Sequence, residues 1–289
     1  MRRIIFTLSI VALSIFSYAQ DMPAYSVFTS EGKKVNYGEM ISGIKDADVI
    51  FFGELHDNPI VHWLQLETTK SLYELKKDKL ILGAEMFESD NQLIMDEFLG
   101  GLISENKFEE EARLWPNYKT DYKPLVQFAK EMNLSFIAAN IPRRYAALVF
   151  SKGFEGLNST SDEAKEYFAP LPIQYDAELA CYKNMLNMGG MGMKHSNENL
   201  PKAQAVKDAT MAHFITKYWK EGTQVLFYNG TYHSDNHQGI VWYLKNANKN
   251  LKIKTIASTM QKDVTALDDE AKGTADFILV TPENITRTH

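Results

Sequence analysis

Acidic and imidazole side chains follow several short apolar segments of this chain, where they can transfer protons or bind a metal ion. Four of them do not occupy ordinary helix-capping positions: Glu54, His56, Glu85 and His233. A carboxylate that orients an imidazole produces a general base near neutral pH, and Glu and His together suit zinc, manganese or cobalt. The four residues are therefore candidate catalytic residues of a hydrolase and candidate ligands of a divalent metal.

The segments around these residues predict a mostly parallel central sheet flanked by helices. Six short runs rich in Val, Ile, Leu and Phe are almost continuously hydrophobic, as expected of strands covered on both faces. They are residues 47–52, 80–84, 134–139, 224–228, 253–258 and 277–280. Segments with helical character lie between them at 59–76, 124–132 and 202–219. This alternation predicts an α/β fold.

The predicted sheet should gather the polar residues at one edge. In an open parallel sheet the ligand site lies outside the carboxyl ends of the strands, so the four residues are expected to line one pocket, with Arg143 nearby. Asp208 and Met211 lie three residues apart on the late helix and share a face. We expect that face to turn toward the pocket and Lys207 to turn toward water.

Residues 151–200 depart from this pattern because they are polar and rich in glycine. We predict an insertion, partly helical, that lies over the carboxyl edge of the sheet as a loop or lid. It holds four methionines and a histidine: Met185, Met188, Met191, Met193 and His195. Thioethers adapt to irregular surfaces, so one interpretation is a flexible apolar lid for a large flat ligand, and Met with His also suits copper. A surface loop with a few core-directed methionines is the alternative.

The N-terminus predicts export. Arg2 and Arg3 precede an apolar run over 4–16, and a small-x-small site at 17–19 predicts a signal peptide over 1–19 that is cleaved after Ala19. The run is shorter than the ~20 residues of a stable membrane span, although a retained anchor is the alternative. No cysteine follows the run for lipid attachment. We expect a periplasmic or envelope-associated chain whose residues 20–289 form a single α/β domain.

The composition excludes several classes of protein. The chain has 289 residues, 45% hydrophobic and 24% charged, which excludes a disordered or fibrous protein. A formal charge of −6 argues against nucleic acid as the main partner. The one cysteine, Cys181, excludes an intrachain disulfide and any multi-cysteine metal site. It is either a small buried residue or a link between chains.

Six short motifs resemble, in order, those of the ChaN haem-binding uptake family. This family belongs to the Tiki superfamily, together with erythromycin-esterase-like and TraB-like proteins. The motifs lie at 52–59 (FGELHDNP), 83–87 (GAEMF), 115–124, 140–143 (NIPR), 203–212 and 229–233 (NGTYH). The set extends over most of the chain that follows the predicted signal peptide.

The resemblance implies haem acquisition by an exported protein. Members of this family are envelope proteins, so envelope haem-uptake proteins are the implied partners, and paired haems at a homodimer interface are the implied assembly. The implied iron ligand is a tyrosine oxygen, and a phenolate is a hard donor that suits ferric haem. Tyr118 and Tyr122 are the candidate ligands, with Tyr145 and Tyr175 as alternatives.

The segment that carries the two candidate tyrosines is interrupted by Pro116, so residues 115–122 are predicted to form a surface loop. On such a loop, Lys119 and Lys123 can pair with the haem propionates, and Arg143 is a third candidate cation. If the tyrosines do not bind the iron, the Met/His insertion is the next candidate.

The alternative function is metal-dependent hydrolysis, of esterase or peptidase type, in the pocket of Glu and His residues. Relatives in the superfamily hydrolyse esters or peptides. The sequence contains no G-x-S-x-G elbow, no H-E-x-x-H helix and no phosphate-binding loop. A purely structural role would leave the polar residues at the strand ends without an explanation.

Overall fold

The structure is a computed structural model that describes residues 22–188 and 197–288. The predicted signal peptide over 1–19 lies outside the described residues. So do Met191, Met193 and His195 of the predicted insertion.

An eight-stranded sheet with the order β2-β1-β8-β7-β3-β6-β4-β5 runs through the described chain. The strands are β1 Ser26–Thr29, β2 Lys34–Val35, β3 Val49–Glu54, β4 Leu80–Glu88, β5 Phe136–Asn140, β6 Gln224–Gly230, β7 Ile253–Gln261 and β8 Phe277–Pro282. Neighbouring strands from β8 to β5 are parallel, and β1 pairs antiparallel with both β8 and β2. The predicted mostly parallel sheet is confirmed, since each of the six apolar segments forms one of the parallel strands.

Ten α-helices lie among the described residues, with short 3-10 turns between them. They are α1 Tyr37–Ile44, α2 Pro59–Lys76, α3 Gln92–Leu99, α4 Glu105–Glu111, α5 Lys123–Glu131, α6 Arg143–Lys152, α7 Asp162–Lys165, α8 Ala180–Met188, α9 Leu200–Tyr218 and α10 Ile240–Ala247. The start of α2 follows from its sequence. The Asn58 side chain accepts hydrogen bonds from the N–H groups of Ile60 and Val61, and Pro59 occupies the first turn, where its missing N–H costs nothing.

Helices cover both faces of the sheet because successive strand residues point to opposite sides. Ile50 and Phe52 of β3 pack in one buried cluster, to which α2, α3 and α5 contribute apolar side chains. Val49 and Phe51 pack in a second cluster with α9 and α10. This two-sided burial explains why the strands are continuously hydrophobic and not alternating.

The predicted insertion contains the end of α6 together with α7 and α8. Within it, α8 reaches the carboxyl edge of the sheet, where the backbone N–H of Cys181 donates to Gln238 (2.8 Å) and Tyr182 contacts α9. Cys181 is half-buried and unpaired, and burial raises the pKa of its thiol to about 11. Within the described ranges, none of the helices combines the length and the hydrophobicity that a membrane crossing requires.

Candidate functional site

Three adjacent strands bring the four predicted Glu and His residues to one edge of the sheet. Glu54 is the last residue of β3 and is in register with Gly230, the last residue of β6. Glu85 lies on β4, which pairs with the other side of β6. His233 lies in the turn that follows β6. All four residues therefore lie at the carboxyl ends of central strands, with His56 two residues beyond β3.

Glu54 is a fully enclosed carboxylate that accepts three hydrogen bonds from side chains. Its Oε1 lies 2.7 Å from Nδ1 of His56 and accepts from the Tyr122 hydroxyl at 2.7 Å. Its Oε2 accepts from the Gln65 amide at 2.5 Å. Burial alone would raise the pKa of Glu54, but the hydrogen bond from His56 and the imidazoles of His62 and His56 outweigh it and lower the pKa. An ionised Glu54 is acceptor-only, so Nδ1 of His56 carries the proton.

The other imidazole next to Glu54 belongs to His62, which is buried and not a surface residue. Its Nδ1 lies 3.0 Å from the Gln65 side-chain oxygen, and its Nε2 lies 3.0 Å from the His56 carbonyl oxygen. Asn117 also donates to that carbonyl, at 2.9 Å. These contacts fix the backbone of His56 from two sides.

His233 is held between two carboxylates in a second buried cluster. Its Nε2 lies 3.1 Å from Oε1 of Glu85, and its Nδ1 contacts Asp208. The hydroxyl of Tyr182 donates to the other oxygen of Asp208 at 2.7 Å. Burial would lower the pKa of His233, but the two carboxylates raise it to about 10. Burial would likewise raise the pKa of Glu85, but His233 lowers it to about 2. His233 is therefore a buried cation at neutral pH.

Of the three side chains of α9 whose directions were predicted, only Asp208 points as expected. Asp208 is buried and turns toward His233. Met211 is buried in the apolar cluster under α9 and does not line the site. Lys207, expected to point to water, lines a cavity at the edge of the sheet. The late helix therefore contributes a lysine to the site where a methionine was predicted.

This cavity, which we call the edge groove, has a volume of about 590 Å³. His56 and Trp115 form one part of its wall, with their ring centroids 4.9 Å apart. Ile141 and Ala146 contribute apolar surface. Polar and charged side chains complete it: Glu85, Glu88, Asn140, Arg143 and Lys207. The groove thus combines apolar walls, one imidazole and charged groups at its rim.

The cations near the edge groove differ in how far they are neutralised. Arg143, predicted to lie near the pocket, lines the groove, and its Nε donates to Glu88 at 2.5 Å. Arg113 donates to the other oxygen of Glu88 at 3.0 Å. The amine of Lys207 forms no hydrogen bond or ion pair with any residue in the described part of the chain. Lys207 is therefore the groove cation that is free to pair with an anionic ligand.

Lys119 and Lys123, predicted to bind propionates, do not line the edge groove. Lys119 lies 3.3 Å from Glu109, and Lys123 lies 2.8 Å from Glu109 and also contacts Glu105. The two lysines form ion pairs with acidic residues of α4, which lie alongside them. Both lysines thus pair with glutamates of α4 and lie outside the edge groove.

The predicted surface loop around the two candidate tyrosines is wrong. Residues Tyr118–Tyr122 form a π-helical turn that leads into α5, and both phenols are buried. The Tyr118 ring packs against Phe87 and Phe108. Pro116 does break the preceding chain, but the aromatic rings that follow it are drawn into the core, since burying them removes large apolar surfaces from water.

The environment of each phenol opposes ionisation. Burial, with Glu54 close by, raises the pKa of Tyr122, and burial with Glu109 nearby raises the pKa of Tyr118. The Tyr118 hydroxyl is buried and has no hydrogen-bond partner among the described residues. The alternatives Tyr145 and Tyr175 are half-buried and pack against Phe168 and Phe154, outside the edge groove. Neither of the two first candidates therefore presents a phenolate at the groove.

The predicted divalent-metal site is not supported. Within residues 22–188 and 197–288, no group of three or more His, Cys, Asp or Glu side chains is arranged to hold a metal ion. The reason lies in the two clusters: Glu54 is occupied by His56, Tyr122 and Gln65, and both nitrogens of His233 face carboxylates. The four Glu and His residues are brought together, but as two hydrogen-bonded clusters.

Several residues of the site were not predicted from the sequence. Asn117 donates to Asp121 at 2.7 Å and supports the backbone of His56. Asn117 and Asp121 are four residues apart, a spacing that indicates a helix. This signal was missed because the segment was interpreted as a loop. Tyr182 and Arg113 carry no such signal, because their partners Asp208 and Glu88 are distant in sequence.

Fold and site together define an α/β protein with a groove at the carboxyl ends of its parallel strands. The model of the family described as haem-binding uptake, Tiki superfamily, ChaN matches residues 40–244. The chain belongs to this family, which confirms the resemblance seen in its motifs. A comparison with curated proteins finds no match.

Solved structures show the same fold at low sequence identity. The chain is 18% identical to ChaN of Campylobacter jejuni, described as binding haem cofacially, with a TM-score of 0.66 over 89% of this chain and 96% of that one. It is 11% identical to a succinoglycan biosynthesis protein, with a TM-score of 0.50 over 84% and 89% of the two chains. At these identities the likeness concerns the fold.

Proposed function

We propose that this chain is an exported protein that binds haem in the edge groove and takes part in haem or iron acquisition. Membership of a haem-binding uptake family supports the choice of ligand. The single observation that supports the location of the haem site is the edge groove, in which an imidazole, apolar walls and a free lysine line one cavity. Haem has the same three kinds of group: an iron, a flat apolar ring and two propionates.

The residues of the edge groove fit such a ligand. Trp115 and Ile141 offer apolar surface for the porphyrin, and ligand sites are mostly apolar with a few placed polar groups. Lys207 would hold a propionate, because its amine has no ion-pair partner among the described side chains. Arg143 would contribute less, since Glu88 already neutralises it. When bound, haem supplies an iron with open coordination positions.

Tyrosine ligation, implied by the family resemblance, needs a phenol that reaches the groove. The burial of Tyr118 and Tyr122 argues against both as they stand. We therefore propose haem binding without assigning the iron to either tyrosine. The substitutions Tyr118→Phe and Tyr122→Phe are then expected to leave the absorbance spectrum of the haem complex unchanged.

Titration of the purified protein with haemin, followed by Soret absorbance, tests the proposal. We expect saturable binding, and we expect Lys207→Gln to weaken it. Lys202→Gln is the matched control, because Lys202 lies on the same helix but contacts Asn199 at 3.0 Å. Haemin dimethyl ester, which lacks free propionates, should bind the wild type and Lys207→Gln equally. Absence of saturable haemin binding to the wild type would overturn the proposal.

The proposal includes a homodimer and passage through the envelope. The family resemblance implies paired haems between two subunits, which suits the described cofacial haem binding of the Campylobacter jejuni protein. Light scattering with and without haemin tests the dimer, which we expect to form or tighten when haem binds. Mass spectrometry of the exported protein tests cleavage after Ala19 and the periplasmic or envelope location.

A second candidate function is hydrolysis at the same edge of the sheet. The observation that favours it is the hydrogen-bonded chain Tyr182–Asp208–His233–Glu85, which ends at the edge groove. With a pKa of about 10, His233 is protonated and unable to accept a proton at neutral pH. The remaining base is His56. Turnover of ester substrates that is lost in His56→Gln, together with no haemin binding, would favour this candidate over the first.

A further inference from the structure

The edge of the sheet opposite the edge groove, where the central strands begin, is rich in lysine. Seven lysine amines at this edge form no ion pair or hydrogen bond with any residue in the described part of the chain. They are Lys45 before β3, Lys76 and Lys79 before β4, Lys217 and Lys220 before β6, and Lys249 and Lys252 before β7. We call this group of seven lysines the basic end. Its amines are available to an external anion.

The strand register places the turns of the basic end side by side. The four strands are neighbours in the order β7-β3-β6-β4. The first residues of β7 and β3 pair with each other, the first residue of β3 pairs with the second residue of β6, and the first residues of β6 and β4 pair with each other. Because neighbouring strands lie about 4.8 Å apart, the four turns occupy about 15 Å of one edge. The Gln224 side chain donates to the carbonyl oxygens of Lys45 (2.9 Å) and Ala47 (2.7 Å), which fixes the turn before β3 against β6.

The acidic residues of these turns do not cancel the lysines. Four segments lead into the strands: residues 45–48, 74–79, 217–223 and 249–252. Their eight lysines and five acidic residues give a net charge of +3, in a chain whose formal charge is −6. The acidic turn over 268–276 is set back from this edge, because β8 begins opposite Ile256, three residues beyond the start of β7. At about 3.3 Å per residue, this offset is about 10 Å.

An exposed leucine accompanies the lysines. Leu75 precedes Lys76 at the end of α2, and it is 54% exposed. Surfaces that bind bilayers combine lysines, which attract anionic headgroups, with apolar side chains that enter the boundary with the acyl chains. A nucleic acid backbone or an acidic polypeptide would pair with the lysines but leave the leucine in water. The combination therefore favours lipid as the partner.

We propose that the basic end holds the protein on the surface of an anionic phospholipid membrane. Each lysine close to such a surface raises the affinity about fivefold. The edge groove lies at the opposite edge of the sheet, so it would face away from the lipid. The inference concerns where the chain is held, and it does not depend on haem binding.

Co-sedimentation of the full chain with phospholipid vesicles tests the inference. At about 0.1 M salt, where charges interact over about 10 Å, vesicles of phosphatidylcholine with about 30% phosphatidylglycerol should bind the chain at least about tenfold more tightly than phosphatidylcholine alone. Lys79→Gln combined with Lys252→Gln should weaken binding to the anionic vesicles about 25-fold, about fivefold for each lysine. The matched control combines Lys152→Gln with Lys262→Gln, which should bind as the wild type does. These two lysines are exposed, lie outside the basic end and form no ion pair within the described residues.

Leu75→Ala should also weaken binding to the anionic vesicles, with unchanged circular dichroism. Equal binding of the wild type to both kinds of vesicle overturns the inference. Equal binding by the two double variants also overturns it, and leaves the lysines a structural role at the helix ends. A chain that binds an immobilised acidic polypeptide but not the anionic vesicles overturns it in favour of a protein partner. Haemin binding should be unchanged in both double variants, so loss of the inference leaves the proposed function intact.

Discussion

Replacing Glu85 by Gln tests the buried ion pair that supports the edge groove. The substitution keeps the size of the side chain and an oxygen that can accept from the Gly230 N–H, which donates to Oε2 at 2.7 Å. It removes the charge that faces Nε2 of His233 at 3.1 Å. His233 would then remain a buried cation with Asp208 as its one anionic partner.

The magnitude follows from the pKa of Glu85. Its pKa of about 2 lies below the ordinary 4.5, and one pKa unit corresponds to about 1.4 kcal/mol. Loss of the charge should therefore lower the free energy of unfolding by about 3 kcal/mol at pH 7, in line with the cost of breaking a buried pair. Because the depressed pKa stabilises the folded state above pH 4.5, wild-type stability should fall as the pH drops from 4.5 to about 2.

Urea unfolding at pH 7 measures this difference, and Glu88→Gln is the matched control. Glu88 also lies on β4 and is buried, but its partners Arg113 and Arg143 are 44% and 65% exposed. Because both cations are solvated and would not be left as buried charges, Glu88→Gln should cost less than Glu85→Gln. If Glu85→Gln destabilises the protein no more than Glu88→Gln does, the buried pair does not have the strength argued above.

Three further predictions concern the two clusters and the buried Tyr118. The pKa of His233 is about 10, above its ordinary 6.5, so its contribution to stability is complete below pH 6.5 and is lost as the pH rises to about 10. Urea unfolding across that range should show this decline in the wild type and a smaller one in Glu85→Gln. Tyr122→Phe should cost about 1.5–3 kcal/mol, because its hydroxyl donates to the ionised Glu54. Tyr118→Phe should instead raise the free energy of unfolding by about 1–3 kcal/mol, because it removes a buried hydroxyl that no described residue partners.

The central strands could be predicted from the sequence because burial on both faces leaves a continuous apolar run. This signal marked the strands from β3 to β8 and, through topology, the edge at which Glu54 and Glu85 meet. It missed β1 and β2, which are 4 and 2 residues long. β1 forms because β8 offers it a partner that is about 250 residues away in the chain, and β2 pairs in turn with β1.

The burial of Tyr118 and Tyr122 could not be predicted from the residues next to them in the sequence. Pro116 correctly marks a break in the chain, but the burial of Tyr122 depends on Glu54, which lies 68 residues earlier. The partner of Lys123 could not be predicted for the same reason, since Lys123 pairs with Glu109 of the preceding helix. Lys207 was expected in water, although it lies next to Asp208 on a helix that borders the groove. Local patterns predict elements, whereas the partners of polar groups are set by packing between distant segments.

The most direct test of the central claim is a haemin titration of variants that fill or spare the edge groove. Ala146 lines the groove from α6, and its neighbour Ala147 is exposed on the same helix. We predict that Ala146→Trp abolishes the saturable Soret change, while Ala147→Trp binds haemin with the affinity of the wild type. Circular dichroism of both variants would establish that α6 stays folded. Equal binding by the two variants would contradict the account, because haem would then lie outside the groove.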